Sequence, residues 1–298
     1  MLANNSNKKK VKIIKTFYKI ITAFLFIFSI FNSTSAEQKK FNMVFVPASE
    51  KGDENDFKGL INIVEDLTGF EIKFIKVTDY NAAVEAMRAG RADIAWYGGQ
   101  TYIDAARIAD ADAFAAGVRP GEKNPGYYTY FVVKKNSDIK KFSEVKDKIL
   151  SLNHIGSTSG DLIPQVELSK INLSIKNKND FKNVFYAGSH DACLLTVINN
   201  QADVCGMSSL NYEARLGDGT FKENQVRIIH KSDLVPPAPL AYSKKIPLED
   251  RKKIKLAVLE AHKHGEIGGY GGKMSHYVSV EDSDYDVLRN VEKLLKKK

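Results

Sequence analysis

Ser157, Thr158 and Ser159 are three adjacent hydroxyls followed by Gly160. They stand between residues 150–156, which read as a strand, and Leu162, Val166 and Leu168, whose spacing is helical. A helix that opens on such a run turns its hydroxyls and its first, unpaired backbone N–H groups toward one point at the positive end of the helix dipole. That is the chemistry of an anion cradle, and phosphorus oxyanions suit it. The same residue types also make a plain N-cap in any protein, so the rest of the chain has to decide.

The elements that would position this run alternate. Residues 41–46 read as a strand, Phe57, Leu60, Ile61, Val64 and Leu67 carry a helical period, and residues 71–77 alternate as a second strand. Residues 80–89 read as a helix stopped by Gly90, and residues 92–97 as a short buried strand. This βαβαβ order predicts a largely parallel sheet covered by helices. Residues 128–133 add a strand, residues 142–145 a helical turn, and a second α/β series runs through residues 184–186, 192–199 and 202–205 to a strand at 226–230. The run Val235-Pro236-Pro237-Ala238-Pro239 reads as a crossover between domains, with helical stretches at 248–264 and 285–295 after it. Two α/β lobes with a cleft between them fit this order, and ligands of open α/β sheets bind outside the carboxyl ends of strands.

The first 36 residues read as a separate device. Six lysines, an apolar stretch over residues 20–31 and the small residues Ser33, Thr34, Ser35 and Ala36 are the layout of a secretory signal peptide cleaved after Ala36. The chain holds 44 basic and 36 acidic residues, but the leader carries six of the bases and no acid, leaving a balance of +2 beyond it. The basic pI therefore lends no support to a nucleic-acid partner. Cys193 and Cys205 match no metal-ligand spacing, and a disulfide and two buried thiols fit them equally.

Six segments resemble, in order, the periplasmic phosphate/phosphite/phosphonate-binding proteins of ABC importers: Thr78-Asp79-Tyr80, residues 90–98, Pro125-Gly126-Tyr127-Tyr128, residues 157–160, residues 187–192 and residues 282–289. They span nearly all of the chain beyond the leader. The resemblance implies a type II periplasmic binding protein fold of class α/β, with two Rossmann-like domains joined by a two-segment hinge. Lobe 1 would comprise residues 37–131 plus 236–298 and lobe 2 residues 132–235, with crossings at 128–134 and 232–242. It further implies that Ser157, Thr158 and Ser159 hold phosphoryl-type oxygens, that His190 reaches one of them, and that Tyr80 and Tyr127 complete the cage from the first lobe. In members that take aminoethylphosphonate, two carboxylates meet the ligand's ammonium; the matching positions here are Leu210 and Ala238, with Glu213 close by as an alternative carboxylate. Neither Leu nor Ala pairs with an ammonium, so an anion with a small or absent substituent is expected: phosphite, methylphosphonate or phosphate. Trp96 and Tyr97 are candidates for an apolar wall beside it, although Trp96 equally suits a core position.

The expected partners are thus a small phosphorus oxyanion and an ABC permease in the inner membrane, with periplasmic localisation and a monomeric chain. No cofactor, metal or nucleic acid is expected. One rival is a receptor of the same build for another small anion, such as a sulfonate or a thiamine precursor. Another is a periplasmic hydrolase using Ser157 or Ser159 with His190 and an orienting Asp161 or Asp191, against which stands the lack of a Gly-x-Ser-x-Gly elbow. The glycines at 265, 268, 269, 271 and 272 match neither a P-loop nor a dinucleotide fingerprint and read as a flexible loop.

Overall fold

The computed structural model describes residues 38–49 and 53–297; the leader and its cleavage point lie outside the described residues. In chain order the elements begin with β1 (Lys40–Phe45), α1 (Asp53–Thr68), β2 (Glu71–Ile75), α2 (Tyr80–Arg88), β3 (Ile94–Trp96), α3 (Gly99–Ile108) and β4 (Ala111–Val118). Next come β5 (Thr129–Lys134), β6 (Ile149–Leu152), α4 (Ile163–Lys170), β7 (Asn183–Tyr186), α5 (His190–Ile198), β8 (Val204–Ser208), α6 (Ser209–Gly217) and β9 (Val226–Lys231). The chain ends with β10 (Leu240–Ser243), α7 (Leu248–Glu260), β11 (Ile267–Gly269), β12 (Gly272–Met274), β13 (His276–Ser279) and α8 (Asp286–Lys297).

These strands form two main sheets, ordered β13-β4-β10-β3-β1-β2 and β7-β6-β8-β5-β9. In the first, β1 lies parallel to β2 and β3, with Phe45 opposite Trp96, as the βαβαβ pattern requires. The returning strand β10 then pairs antiparallel with β3, Leu240 opposite Trp96, so the sheet is mixed. In the second, β6 runs parallel to β7 and β8 while β5 runs antiparallel to β8 and β9. Met43, Val44 and Ala95 in the middle of the first sheet are wholly buried, which explains apolar runs without alternation: helices cover both faces.

The chain passes between the sheets twice, over residues 119–128 and 232–239. The second passage contains the proline-rich run, where three fixed φ angles and missing N–H groups keep the chain out of either sheet. The first passage lies earlier than residues 128–134, because Thr129–Lys134 is already the strand between β8 and β9. Where the passages meet, Tyr127 and Val235 form an antiparallel bridge with N–H···O distances of 3.2 and 2.8 Å in the two directions. Cys193 and Cys205 are joined in a disulfide, Cα atoms 5.7 Å apart, that ties α5 to β8 inside the second core. The glycine-rich segment is not a loose loop: it folds as the β11–β12 hairpin, with Ile267 opposite Met274.

Candidate functional site

The Ser-Thr-Ser run sits at the carboxyl end of β6, where the chain turns into a wide π-helical turn over Thr158–Leu162 that leads into α4. Ser157 is its N-cap, and its Oγ accepts the Gly160 N–H at 3.1 Å. Gly160 is required by close approach, since a Cβ there would fall 2.2 Å from the Asn153 Cβ. Ser157, Thr158 and Ser159 are each 2% exposed, far below what a solvated cap would show.

Their hydrogen bonds leave hydroxyl protons to give. Ser157 Oγ also accepts from Asn153 Nδ2 at 3.1 Å, so with both lone pairs engaged its proton is directed outward as a donor. Thr158 Oγ1 accepts the Gln100 N–H at 2.8 Å, from the first turn of α3 in the first sheet's layer. The Thr101 hydroxyl donates to the Gly156 carbonyl at 2.9 Å from the same turn, so two helix starts meet face to face across the cleft.

Tyr127 and, through Asn153, Tyr80 are tied to this run, and His190 follows the turn at Gly188 that the Asn153 carbonyl holds. Tyr127 is buried, which pushes its phenol up to about 12 against the opposing hydrogen bonds of Thr158 and Ser159, and it stays a neutral donor. The Tyr80 hydroxyl accepts from Asn153 Nδ2 at 3.4 Å, and its ring stacks on His154 at 5.1 Å. His190 opens α5 and is 2% exposed; its Nδ1 accepts the Ser208 N–H at 3.2 Å, which leaves the proton on Nε2. Burial lowers its pKa to about 3, so the imidazole is a neutral N–H donor at physiological pH.

Asn153 is the residue that sequence reasoning missed. It touches Tyr80 and Ser157 through its side chain, and its carbonyl accepts the Gly188 N–H at 2.8 Å, fixing the turn that carries His190. A lone Asn at a strand end carries no periodicity to mark it; only the fold brings its three partners together. Asp191, the candidate orienter for His190, instead faces Arg215, Nε to Oδ1 3.4 Å, and accepts from Ser49 Oγ at 3.1 Å across the cleft. Asp161 is held by the Tyr186 hydroxyl at 2.8 Å and Gln165 at 2.7 Å. With a backbone amide on its Nδ1, His190 lacks the carboxylate that a catalytic triad places there.

Next to this cage lies a cavity of about 30 Å³ whose walls include Phe57, Trp96, Tyr127, Leu210, Ala238 and Tyr270. Tyr127 is common to both: its hydroxyl meets Thr158 and Ser159 and its ring faces the cavity. Tyr97 is not among the lining residues; it is wholly buried and its hydroxyl donates to the Ala83 carbonyl at 3.3 Å. Glu213 pairs with Arg119 across the cleft and accepts from the Tyr130 hydroxyl at 3.3 Å.

Among the described residues no helix is long and apolar enough to cross a membrane. The phosphonates-binding periplasmic protein of Escherichia coli is 30% identical over 196 residues, an alignment covering 64% of this chain and 56% of that protein's length. The phosphate-import protein PhnD of Mycolicibacterium smegmatis is 25% identical over 281 residues, covering 87% of each. The crystal structure of PhnD1 from Prochlorococcus marinus in complex with methylphosphonate superposes with a TM-score of 0.73 at 21% identity, covering 87% of this chain and 99% of that one. That likeness bears out the two-lobed type II architecture. Residues 43–285 match the family described as ABC transporter, phosphonate, periplasmic substrate-binding protein, and the chain belongs to that family.

Proposed function

We propose that this protein binds a small phosphorus oxyanion, phosphite, methylphosphonate or phosphate, between two lobes in the periplasm and delivers it to an ABC permease without chemical change. The observation that carries the reading is the buried helix start Ser157-Thr158-Ser159, with buried Tyr80 and Tyr127 and a neutral His190 as further donors. An oxyanion offers many lone pairs and little apolar surface, so its affinity comes from several short, charge-assisted hydrogen bonds in a dry site. Neutral donors satisfy it without a fixed cation that would slow release.

In this reading Ser157, Thr158, Ser159, His190, Tyr80 and Tyr127 hold the anion, and Trp96, Leu210 and Ala238 face its substituent. The lobes turn about residues 119–128 and 232–239, a refinement of the division at 131/132 and 235/236 that moves β5 wholly into lobe 2. The contacts Gln100–Thr158, Ser49–Asp191 and Arg119–Glu213 belong to the closed form, which bound anion would favour. The leader ending at Ala36 exports a monomeric chain that needs neither cofactor nor nucleic acid.

Calorimetry with phosphite, methylphosphonate, phosphate, aminoethylphosphonate and sulfate tests this reading. Binding of at least one of the first three, tighter than aminoethylphosphonate and sulfate, is the expected result. Failure of all three to bind, or turnover of a phosphate monoester above background, overturns it.

A further inference from the structure

The glycine-rich hairpin has no part in the anion cage, yet its tip reaches both lobes. Tyr270 stands between β11 and β12 and is 7% exposed. Its ring packs on Trp96 with centroids 4.6 Å apart, and Trp96 in turn meets Phe57 at 5.6 Å. Its hydroxyl donates to Asn211 Oδ1 on α6, across the cleft from the sheet that carries Trp96. Gly271 follows at φ +81°, and a Cβ there would lie 3.1 Å from the Leu210 Cβ, so only glycine lets the tip close this tightly on α6.

We infer that Tyr270 is a size-determining residue of the binding site, closing the cavity beside Tyr127 so that the bound anion carries a substituent no larger than a hydroxyl or methyl group. The inference rests on the functional reading above. A cavity of about 30 Å³ has room for one or two water-sized groups, hence a methyl but not an extended chain. Three of its walls, Phe57, Trp96 and Tyr270, are aromatic rings packed on one another, which yield less readily than a single flexible side chain. The charged lining residues Arg119 and Glu122 are of opposite sign, and Glu122 is exposed at the rim, so neither gives a buried counter-ion for an ammonium. Discrimination therefore falls on volume, where each excess methylene is worth about tenfold or more.

The test is calorimetry of the full exported chain and its Tyr270→Ala and Tyr270→Phe variants against phosphite, methylphosphonate, ethylphosphonate and propylphosphonate, with circular dichroism and melting to verify the fold. The parent protein is expected to bind propylphosphonate at least about tenfold more weakly than methylphosphonate. Tyr270→Ala is expected to raise the propyl-to-methyl affinity ratio about tenfold or more by opening the cavity. Tyr270→Phe keeps the ring and the size ranking while weakening all ligands by a common factor of about five, because the Asn211 bond across the cleft is lost. Should Tyr270→Ala not fold, Tyr270→Val takes its place with the same expected direction. A Tyr270 truncation that lowers all affinities equally, or a parent protein indifferent to substituent length, overturns the inference while leaving the functional reading intact. A parent protein that binds none of the four, nor inorganic phosphate, overturns the functional reading and this inference with it.

Discussion

The two ends of the candidate site are built by opposite means. The proposed anion end is built around one short stretch, Ser157 to Gly160, whose turn is set by its own N-cap and by Asn153 four residues earlier than Ser157, with Tyr80, Tyr127 and His190 brought in by the fold. The cavity end is assembled from α1, the end of β3, both passages between the sheets, the start of α6 and the tip of a hairpin. One end uses polar atoms with fixed directions, and the other uses volume. On the proposed reading, the difference teaches that a local turn supplies the hydroxyls for the anion, whereas substituent selection depends on how the lobes close.

The comparison is broken most severely at Thr158. Its Oγ1 accepts the Gln100 amide, so Thr158→Val, close in shape, deprives the cage of a donor and strands a buried N–H when the cleft is closed. A loss of about 2 kcal/mol, roughly 30-fold in affinity for whichever phosphorus anion binds best, is expected by calorimetry. An effect below threefold would mean that the hydroxyl does not face ligand. At the cavity end, Leu210→Glu with Ala238→Asp should raise the affinity for aminoethylphosphonate relative to methylphosphonate about tenfold, since a carboxylate facing an ammonium is a charge-assisted pair. Competition binding reads that ratio directly, and an unchanged ratio would remove the cavity from the substituent's path.

The same contrast explains what could be read from sequence. The Ser-Thr-Ser-Gly run announces itself because its members are neighbours and because capping chemistry is short-range. The βαβαβ opening is legible for the same reason: its apolar periods at Phe57 to Val64 and at Tyr80 to Met87 report each helix's own buried face, although Leu67, which continues the first period, is exposed. Illegible were α3, whose start Gly99-Gln100-Thr101 buries small and polar residues against the opposite lobe and so opens without an apolar signal, and β4, rich in alanine and without alternation. Cys193 and Cys205 are compatible with either redox state until the packing of α5 on β8 brings their Cα atoms to 5.7 Å. The glycines of the hairpin read as freedom in sequence and turn out to be tight packing, because close approach and flexibility select the same residue.

His190 offers a subtler way to sharpen the comparison, through pH. Its imidazole is neutral in the fold, with burial pulling the pKa to about 3, and titrates near its ordinary 6.5 once unfolded. The unfolded chain therefore takes up a proton that the native site refuses, and stability falls as pH drops from about 6.5 toward 3 with a slope of up to about 1.4 kcal/mol per pH unit from this group. Above 6.5 the group contributes no pH dependence. Melting temperature against pH should fall less steeply for His190→Gln than for the parent protein; parallel curves would place the proton elsewhere.

The smallest expected effect separates Tyr97 from its neighbour Trp96. Trp96 ends β3 and Tyr97 follows it, and sequence offers no means of telling which one faces the cavity. Trp96 lines the cavity and supports Tyr270, whereas the Tyr97 hydroxyl is spent on the Ala83 carbonyl within α2. Tyr97→Phe removes only that internal bond, so it should lower stability by about 1 kcal/mol and leave affinity and substituent ranking within about twofold of the parent. Trp96→Phe, which shrinks a cavity wall without adding a polar group, should instead shift the ranking toward longer substituents at little cost to phosphite. If Tyr97→Phe altered the ranking and Trp96→Phe did not, the strand end would present the other residue to ligand and the wall would have to be redrawn around it.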